Sequence, residues 1–333
     1  MVILYNNYNA DYIEDCRIKG IDIGDSTLID KIKSDFKGAD YKWIFIALVL
    51  FMISNISRAL RWHQLLEPLG YKPKFLNSLG AVMIAYLVNL GIPRSGEFVR
   101  AGVISKYEGF KAEKVMGTIV TDRIIDVICL LAMIFLGIAL SYQTVGVYLE
   151  ENLDLSQKFG FILDNPFILI LLALLGFGVL VILWWQRNKI LKTSIGQKIV
   201  RLILGLWDGV KSIGQLKNPG LFIAHSILIW AMYFLMTYLC MFAFEPTSHL
   251  SASAGLAVFV MGAIGIVFPS PGGMGAYHYM ISQGLMMYGL TEADGFSFAN
   301  IIFFSIQLFC NILFGILALL ILPTYNSRYA KAA

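Results

Sequence analysis

The chain of 333 residues is 58% hydrophobic and only 14% charged, with a mean hydropathy of +0.70. This composition excludes a soluble globular domain and predicts an all-α, polytopic membrane protein, because several segments supply the ~20 apolar residues that a membrane-spanning helix needs. The net charge of +4 is small and is not concentrated in a nucleic-acid footprint. The four cysteines show neither a disulfide framework nor metal-ligand spacing, so we expect no metal and no cofactor.

The first forty residues differ from the rest of the chain. Residues 1–5 are apolar but too few to span a bilayer, and we expect them to be the last turn of a helix whose beginning is missing. Residues 6–40 are polar and rich in acidic side chains, which predicts an extracytoplasmic segment. A single transmembrane domain is expected at 41–322, followed by a cytoplasmic tail at 323–333.

The first full span is predicted at about 41–60. It ends in Arg58, Arg61 and Trp62, a basic and aromatic group that is typical of the cytoplasmic headgroup level. Two roles remain open for these arginines. They either anchor the helix at the interface or attract a lipid headgroup to the leaflet surface.

The apolar segment 76–92 is followed by an abrupt break. Proline lacks the backbone N–H and clashes with the preceding turn, so Gly91, Pro93 and Gly96 are the predicted turn residues. The break is accompanied by three charged residues, Arg94, Glu97 and Arg100. Charges and freed backbone groups are tolerated at membrane depth only where protein or water surrounds them. We therefore predict a re-entrant helix pair at 76–110 that lines a polar cavity, with an ordinary cytosolic loop as the alternative.

The next span, at about 115–141, carries three charges near its start. Asp122 and Asp126 are four residues apart and share a helix face, with Arg123 beside them. Intramembrane charges usually pair with one another. The three residues therefore belong either to a substrate site or to an ion network that locks two helices together.

The second half repeats this order of elements. Spans are predicted at 167–186, 221–244 and 297–322, and residues 252–290 form an apolar pair of helices that is broken in the middle. The predicted turn residues of this second broken pair are Pro271, Gly272, Gly273 and Gly275. The whole chain would have about six full spans, counting the missing first helix, and two broken pairs. Units 1–141 and 166–322 would form an inverted repeat, the arrangement of transporters that bind substrate where broken helices meet.

Four motifs occur in order along the chain: Arg58-x-x-Arg61-Trp62, the run from Asn89 to Arg100, Asp122-Arg123-x-x-Asp126, and Pro271-Gly-Gly-Met-Gly275. Together they resemble the lysylphosphatidylglycerol synthase/flippase transmembrane-domain family, which is similar to the membrane half of the multiple peptide resistance factor. The resemblance covers roughly residues 40–322. It implies a bacterial inner-membrane protein that moves a modified phospholipid between leaflets. The soluble synthase domain is expected to be absent, so lipid aminoacylation is not expected.

The leading functional prediction is a translocase of a lipid or lipid-linked substrate, without covalent chemistry or catalytic residues. Arg94 and Arg100 would hold an anionic headgroup, because guanidinium binds phosphate through two parallel hydrogen bonds. Glu97, Asp122 and Asp126 would pair with these arginines in the empty site or accept a cationic headgroup. The alternatives are a lipid-modifying transferase with Glu97 or Asp122 as base, and an accessory lipid-binding protein. Membrane lipids are the expected partners, and a homo-oligomer or a separate lipid-modifying enzyme is left open.

The distribution of lysine and arginine predicts the topology. Basic residues dominate 187–219 and the C-terminus, whereas acidic residues dominate the loop at 142–165, so the first two should be cytoplasmic and the loop external. In intact cells, an impermeant thiol reagent should modify Asp154→Cys and spare Lys198→Cys. The reverse pattern would overturn the topology.

Overall fold

The computed structural model describes residues 2–18, 27–142, 212–268 and 270–330, which form helices joined by short turns. The helices are α1 (Val2–Ile18), α2 (Leu28–Gly38), α3 (Tyr41–Leu66), α4 (Phe75–Gly91), α5 (Gly96–Glu108), α6 (Ala112–Leu140), α7 (Pro219–Met241), α8 (Ala252–Val267), α9 (Ala276–Met286), α10 (Glu292–Ile302) and α11 (Asn311–Ala330). A π-helix at Phe303–Cys310 joins α10 to α11.

Within these described ranges, four helical segments are long and apolar enough to cross a bilayer. They are Tyr41–Leu69, Ala112–Leu140, Pro219–Met241 and Glu292–Ser327. The predicted all-α, polytopic fold is therefore confirmed. The span predicted at 167–186 and most of its flanking loops lie outside the described residues.

The N-terminal segment is helical and docks on α10. The helix that contains Tyr5 continues to Ile18, although residues 1–5 are expected from the sequence to be a last turn. Thr27 caps the start of α2, and its backbone N–H donates to Asp30, which holds the pKa of that carboxyl below its usual value. Lys31 then ties α2 to α10, since its ammonium lies 2.8 Å from Asp294.

The first broken helix pair consists of α4 and α5, which are joined by the short turn 92–95. The side chain of Asn89 closes this turn, because its amide oxygen accepts a hydrogen bond from the Gly96 N–H at 2.7 Å. Gly96 allows the two helices to approach closely: a Cβ there would lie 2.3 Å from the Ala85 carbonyl oxygen. We call α4, this turn and α5 the first hairpin.

The second broken pair consists of α8 and α9, and we call it, with its turn, the second hairpin. Its turn needs glycine, since Gly272, Gly273 and Gly275 have φ values of +59°, +83° and +88°. Gly265 brings the two helices together, because a Cβ there would lie 2.8 Å from Tyr277 Cα. Both breaks predicted from the sequence are thus present in the structure.

The helices α3 and α7 pack against each other in opposite directions. Trp43, near the start of α3, contacts Phe242 just beyond the end of α7, with ring centroids 5.1 Å apart. Arg61, near the end of α3, donates a hydrogen bond to Ser226 in the first turns of α7. The span that directly precedes the first hairpin therefore runs antiparallel to the span that directly precedes the second.

The first hairpin also packs against α11, and the second hairpin packs against the end of α6. Gly80, early in α4, is so close to α11 that a Cβ would lie 2.8 Å from a methyl carbon of Leu322. Ser141, directly after α6, donates to the Ser253 carbonyl early in α8. In both contacts a residue early in the first helix of a hairpin meets a residue late in a spanning helix. The two helices of each pair are therefore antiparallel. This is the contact pattern that an inverted repeat predicts.

The glycine at the start of α5 provides a test of the hairpin geometry. Gly96→Ala should lower the stability of the protein by ~1–3 kcal/mol, because the new methyl group overlaps the α4 backbone. Gly102 lies on the same helix with open space around it, so Gly102→Ala should be neutral or stabilising by up to about 1 kcal/mol. Thermal unfolding midpoints in detergent compare the two variants. Equal midpoints would contradict the close approach at Gly96.

Candidate functional site

A buried ion network joins α3 to α6. Asp122 and Asp126 lie on one face of α6 and are 0% and 9% exposed. The guanidinium of Arg61 bridges both carboxylates, with Nη2 lying 2.6 Å from an oxygen of each. Arg58, one turn earlier on α3, donates to Asp126 at 2.7 Å. The spacing of these residues on their helices lets two arginines face two aspartates at the same level.

Arg100 extends the network to the first hairpin. It lies on α5, is 2% exposed, and donates from Nη1 to Asp122 at 3.1 Å. Its guanidinium also stacks over Trp62, with Cζ 3.8 Å from the ring centroid. Its remaining donor groups, Nε and Nη2, are buried without a hydrogen-bond partner.

The open edge of the network contains Glu97 and Arg123. Arg123 Nε lies 3.4 Å from Glu97 Oε1, and the two side chains are 39% and 26% exposed. The other carboxylate oxygen of Glu97 is buried without a partner. The two residues and Arg100 line a small, partly open cavity, together with Val82, Ala85, Tyr86, Asn89 and Gly96.

The network carries an excess of positive charge. Arg58, Arg61, Arg100 and Arg123 face only Glu97, Asp122 and Asp126. Arg58, Arg100 and Arg123 have buried donors without a hydrogen-bond partner: Arg58 and Arg123 have one each, at Nε, whereas Arg100 has two, at Nε and Nη2. Of these, Arg100 and Arg123 line the cavity. An anion in the cavity would supply the missing acceptor, and no further cation is required.

Sequence reasoning missed the residues that surround the network. Tyr233 on α7 accepts a hydrogen bond from Arg58 at 3.0 Å, and Ser226 accepts one from Arg61 at 3.2 Å. Both lie in an apolar span far along the chain, where no pattern marks them as partners of α3. Trp62 belongs to the motif that contains Arg58 and Arg61, but its contact with Arg100 depends on how α3 and α5 pack, which the sequence does not show.

The structure corrects the expected position of Arg58 and Arg61. The sequence places them at the surface of the cytoplasmic leaflet, whereas the structure leaves them only 2% and 0% exposed. Both arginines lie near the end of the apolar stretch, which suggests that they reach the membrane surface. The helix α3 instead continues to Leu66, and both side chains are buried against α6. Neither arginine is positioned to capture a headgroup at the surface.

Arg94 also differs from the expectation, because it is not part of the ion network. Its guanidinium instead donates to the carbonyl oxygen of Val267, the last residue of α8, at 2.7 Å. Arg100, Glu97, Asp122, Arg123 and Asp126 are brought together as predicted, although Glu97 pairs with Arg123. The turn residues Gly91, Pro93 and Gly96 lie at or beside the tip of the first hairpin, and Pro271, Gly272, Gly273 and Gly275 lie at the tip of the second.

Comparison with known families agrees with this architecture. The profile of the lysylphosphatidylglycerol synthase TM region matches residues 26–315 of the chain. The chain belongs to this family. The matched range contains both hairpins and every residue of the ion network.

Two relatives show a partial match. The UPF0104 membrane protein MJ1595 of Methanocaldococcus jannaschii is 26% identical over 125 residues, which is 37% of each chain. The UPF0104 membrane protein PH1989 of Pyrococcus horikoshii is 32% identical over 103 residues, which is 30% of this chain and 31% of that protein. The chain therefore matches less than two-fifths of the length of either relative. No solved structure matches the chain.

The arrangement of charges predicts how the network responds to mutation. Asp122→Asn should destabilise the protein by about 3–5 kcal/mol, because it leaves buried arginines without their carboxylate. Adding Arg100→Gln should recover part of this loss, since Asp122 provides the hydrogen-bond acceptor of Arg100. Glu97→Gln, at the open edge, should cost less than Asp122→Asn. Thermal unfolding midpoints in detergent measure these differences in stability. A double variant no more stable than Asp122→Asn would contradict the predicted coupling between Asp122 and Arg100.

Proposed function

We propose that the protein translocates a membrane lipid with an anionic, phosphate-bearing headgroup, and that Arg100 binds the headgroup. The observation that supports this proposal is the pair of unpartnered guanidinium donors on a side chain that is 2% exposed and lines a cavity. Buried donors without acceptors are costly, and their cost is removed when a ligand supplies an acceptor. Binding of an anionic ligand that supplies an acceptor is therefore favourable at this site.

Phosphate fits these donors chemically. The Nε and Nη2 groups of a guanidinium lie in one plane and can donate to two oxygens of the same phosphate. The indole of Trp62 lies against the guanidinium at 3.8 Å, and Asp122 holds its other edge. Arg100 is thus oriented before the ligand arrives, which lowers the entropy lost on binding.

The size of the cavity favours a headgroup as the bound part of a larger molecule. The cavity is small and partly open, so it has no room for acyl chains, and a lipid would leave them in the bilayer. Glu97, whose second carboxylate oxygen is unpartnered, can accept a hydrogen bond from a hydroxyl or amino group next to the phosphate. A lipid-related role also agrees with the name of the family.

Movement across the bilayer is suggested by the two hairpins. Helices that break within the membrane and meet between two inverted units are the general architecture of alternating-access transporters. Each hairpin packs against a span of the other predicted unit. The two hairpins are therefore equivalent parts that can alternate in such a motion. We place the protein in the bacterial inner membrane with a cytoplasmic C-terminus, and we propose no covalent change to the lipid.

The central test removes the side chain that is proposed to bind the headgroup. In reconstituted vesicles, Arg100→Ala should reduce transbilayer movement of a fluorescent phosphatidylglycerol by at least tenfold. Arg100→Lys should restore only part of it, because an ammonium group cannot form the paired hydrogen bonds of a guanidinium. Lys106→Ala is the matched control, since it removes an exposed positive charge from the same helix and should leave the rate unchanged.

The same experiment distinguishes the rival functions. Chromatography of the recovered lipid shows whether its headgroup has changed, and a changed headgroup would favour a transferase. Binding that depends on Arg100 without any transbilayer movement would favour an accessory lipid-binding protein. Folding of each variant is checked by its thermal midpoint, so that a loss of movement is assigned to the site only where the midpoint is retained.

A further inference from the structure

The tips of the two hairpins touch, and we call this contact the hairpin junction. The Arg94 guanidinium donates to the Val267 carbonyl at 2.7 Å, which links the turn of the first hairpin to the end of α8. Beside it, Leu90 packs so closely on the second turn that a Cβ on Gly272 would lie 2.9 Å from its Cδ2 atom. The junction thus consists of one charged hydrogen bond and one tight apolar contact.

The hydrogen bond at the junction joins a full charge to a neutral acceptor. Val267 ends α8, and the last carbonyls of a helix have no partner within it, so its oxygen is free to accept. The negative end of the helix dipole adds to the attraction. Within the ranges that the structure describes, no carboxylate lies within ion-pair distance of Arg94, in contrast to every arginine of the network.

Arg94 also has an unusual backbone conformation. Its φ of +60° lies in the left-handed region, and among the described residues all others in that region are glycines. A side chain with a Cβ is disfavoured there, so the hydrogen bond to Val267 helps to hold the turn in a conformation that it would otherwise leave. Loss of this bond would release both the side chain and the turn.

We propose that Arg94 is a substrate-released latch: it closes the junction by binding Val267, and it opens the junction by transferring to the headgroup phosphate. This inference rests on the proposed function, since it assigns a second phosphate contact to the same transport path. A phosphate oxygen is a stronger acceptor for guanidinium than a backbone carbonyl because both partners are then charged. The headgroup therefore competes successfully for Arg94.

The position of Arg94 suits this role. Its side chain is exposed in the structure, so the guanidinium can reach an incoming ligand without prior unfolding. It lies two residues before Gly96, which lines the cavity that contains Arg100. A headgroup that leaves Arg100 can thus be taken up by a neighbouring arginine on the same hairpin, and the transfer itself separates the two tips.

The test measures access of water to the junction. Leu90→Cys is introduced into a variant whose four native cysteines are replaced by alanine, and its labelling by an impermeant maleimide is followed in detergent. Labelling should be slow without ligand and at least fivefold faster with phosphatidylglycerol, but not with diacylglycerol, which lacks the phosphate. Glycerol 3-phosphate, compared with glycerol, shows whether the phosphate acts without acyl chains.

Two substitutions of Arg94 separate the closing contact from the response to phosphate. Arg94→Ala should label rapidly with and without lipid, because it removes the hydrogen bond to Val267 that closes the junction. Arg94→Lys should label slowly without lipid, because its ammonium group can still donate to Val267. It should respond only in part to phosphatidylglycerol, because an ammonium group cannot form the paired hydrogen bonds of a guanidinium. Lys106→Ala is the control and should respond like the parent. The latch is wrong if Arg94→Ala labels as slowly as the parent, or if Arg94→Lys responds fully to phosphatidylglycerol.

The latch and the proposed function can fail separately. If labelling follows the expected pattern but no lipid crosses the bilayer in vesicles, translocation is wrong and the latch stands. If lipid crosses in an Arg100-dependent way while labelling at position 90 ignores both phosphate and Arg94, the latch is wrong and translocation stands. Thermal midpoints of the Arg94 variants confirm that rapid labelling reflects an open junction in a folded protein.

Discussion

The structure depends on the cost of placing ionised side chains at membrane depth. Asp122 cannot lie there alone, and its position in α6 requires that arginines approach it from α3 and α5. The ion network therefore fixes the relative positions of these three helices, and the hydrogen bond from Trp62 to Thr118 adds to the contact between α3 and α6. Because Arg100 enters it from the first hairpin, the same network determines where that hairpin ends and where the cavity opens.

The two hairpins solve a related problem for the backbone. A helix that stops within the membrane exposes N–H and C=O groups that lipid cannot satisfy. In the first hairpin Asn89 accepts from the first N–H of α5, and Arg94 donates to the final carbonyl of α8 in the second. One backbone group at a broken end of each hairpin is thus satisfied by a side chain, and one of these side chains comes from the other hairpin. The breaks and the contact between the hairpins are parts of one arrangement.

Particular residues show how far sequence reasoning reached. The spacing of Asp122 and Asp126 and the break at Pro93 identified the charged face and the first hairpin, since helix periodicity and proline chemistry are local. The surface position expected for Arg58 and Arg61 was wrong, because a basic residue near the end of an apolar stretch looks the same whether it meets water or a carboxylate on another helix. Arg94 was grouped with Arg100 because they are close in sequence, yet they bind different elements.

The sequence by itself determined the fold class, the broken helices and most of the charged residues of the candidate site. These follow from composition, from helix period and from the conformational limits of proline and glycine, which act over a few residues. Only the tertiary structure decided which charges pair, that Arg100 retains free donors beside a cavity, and that Arg94 joins the two hairpins. Those features depend on distances between helices far apart in the chain, and pairing energies at such distances are set by packing and burial that no local pattern contains.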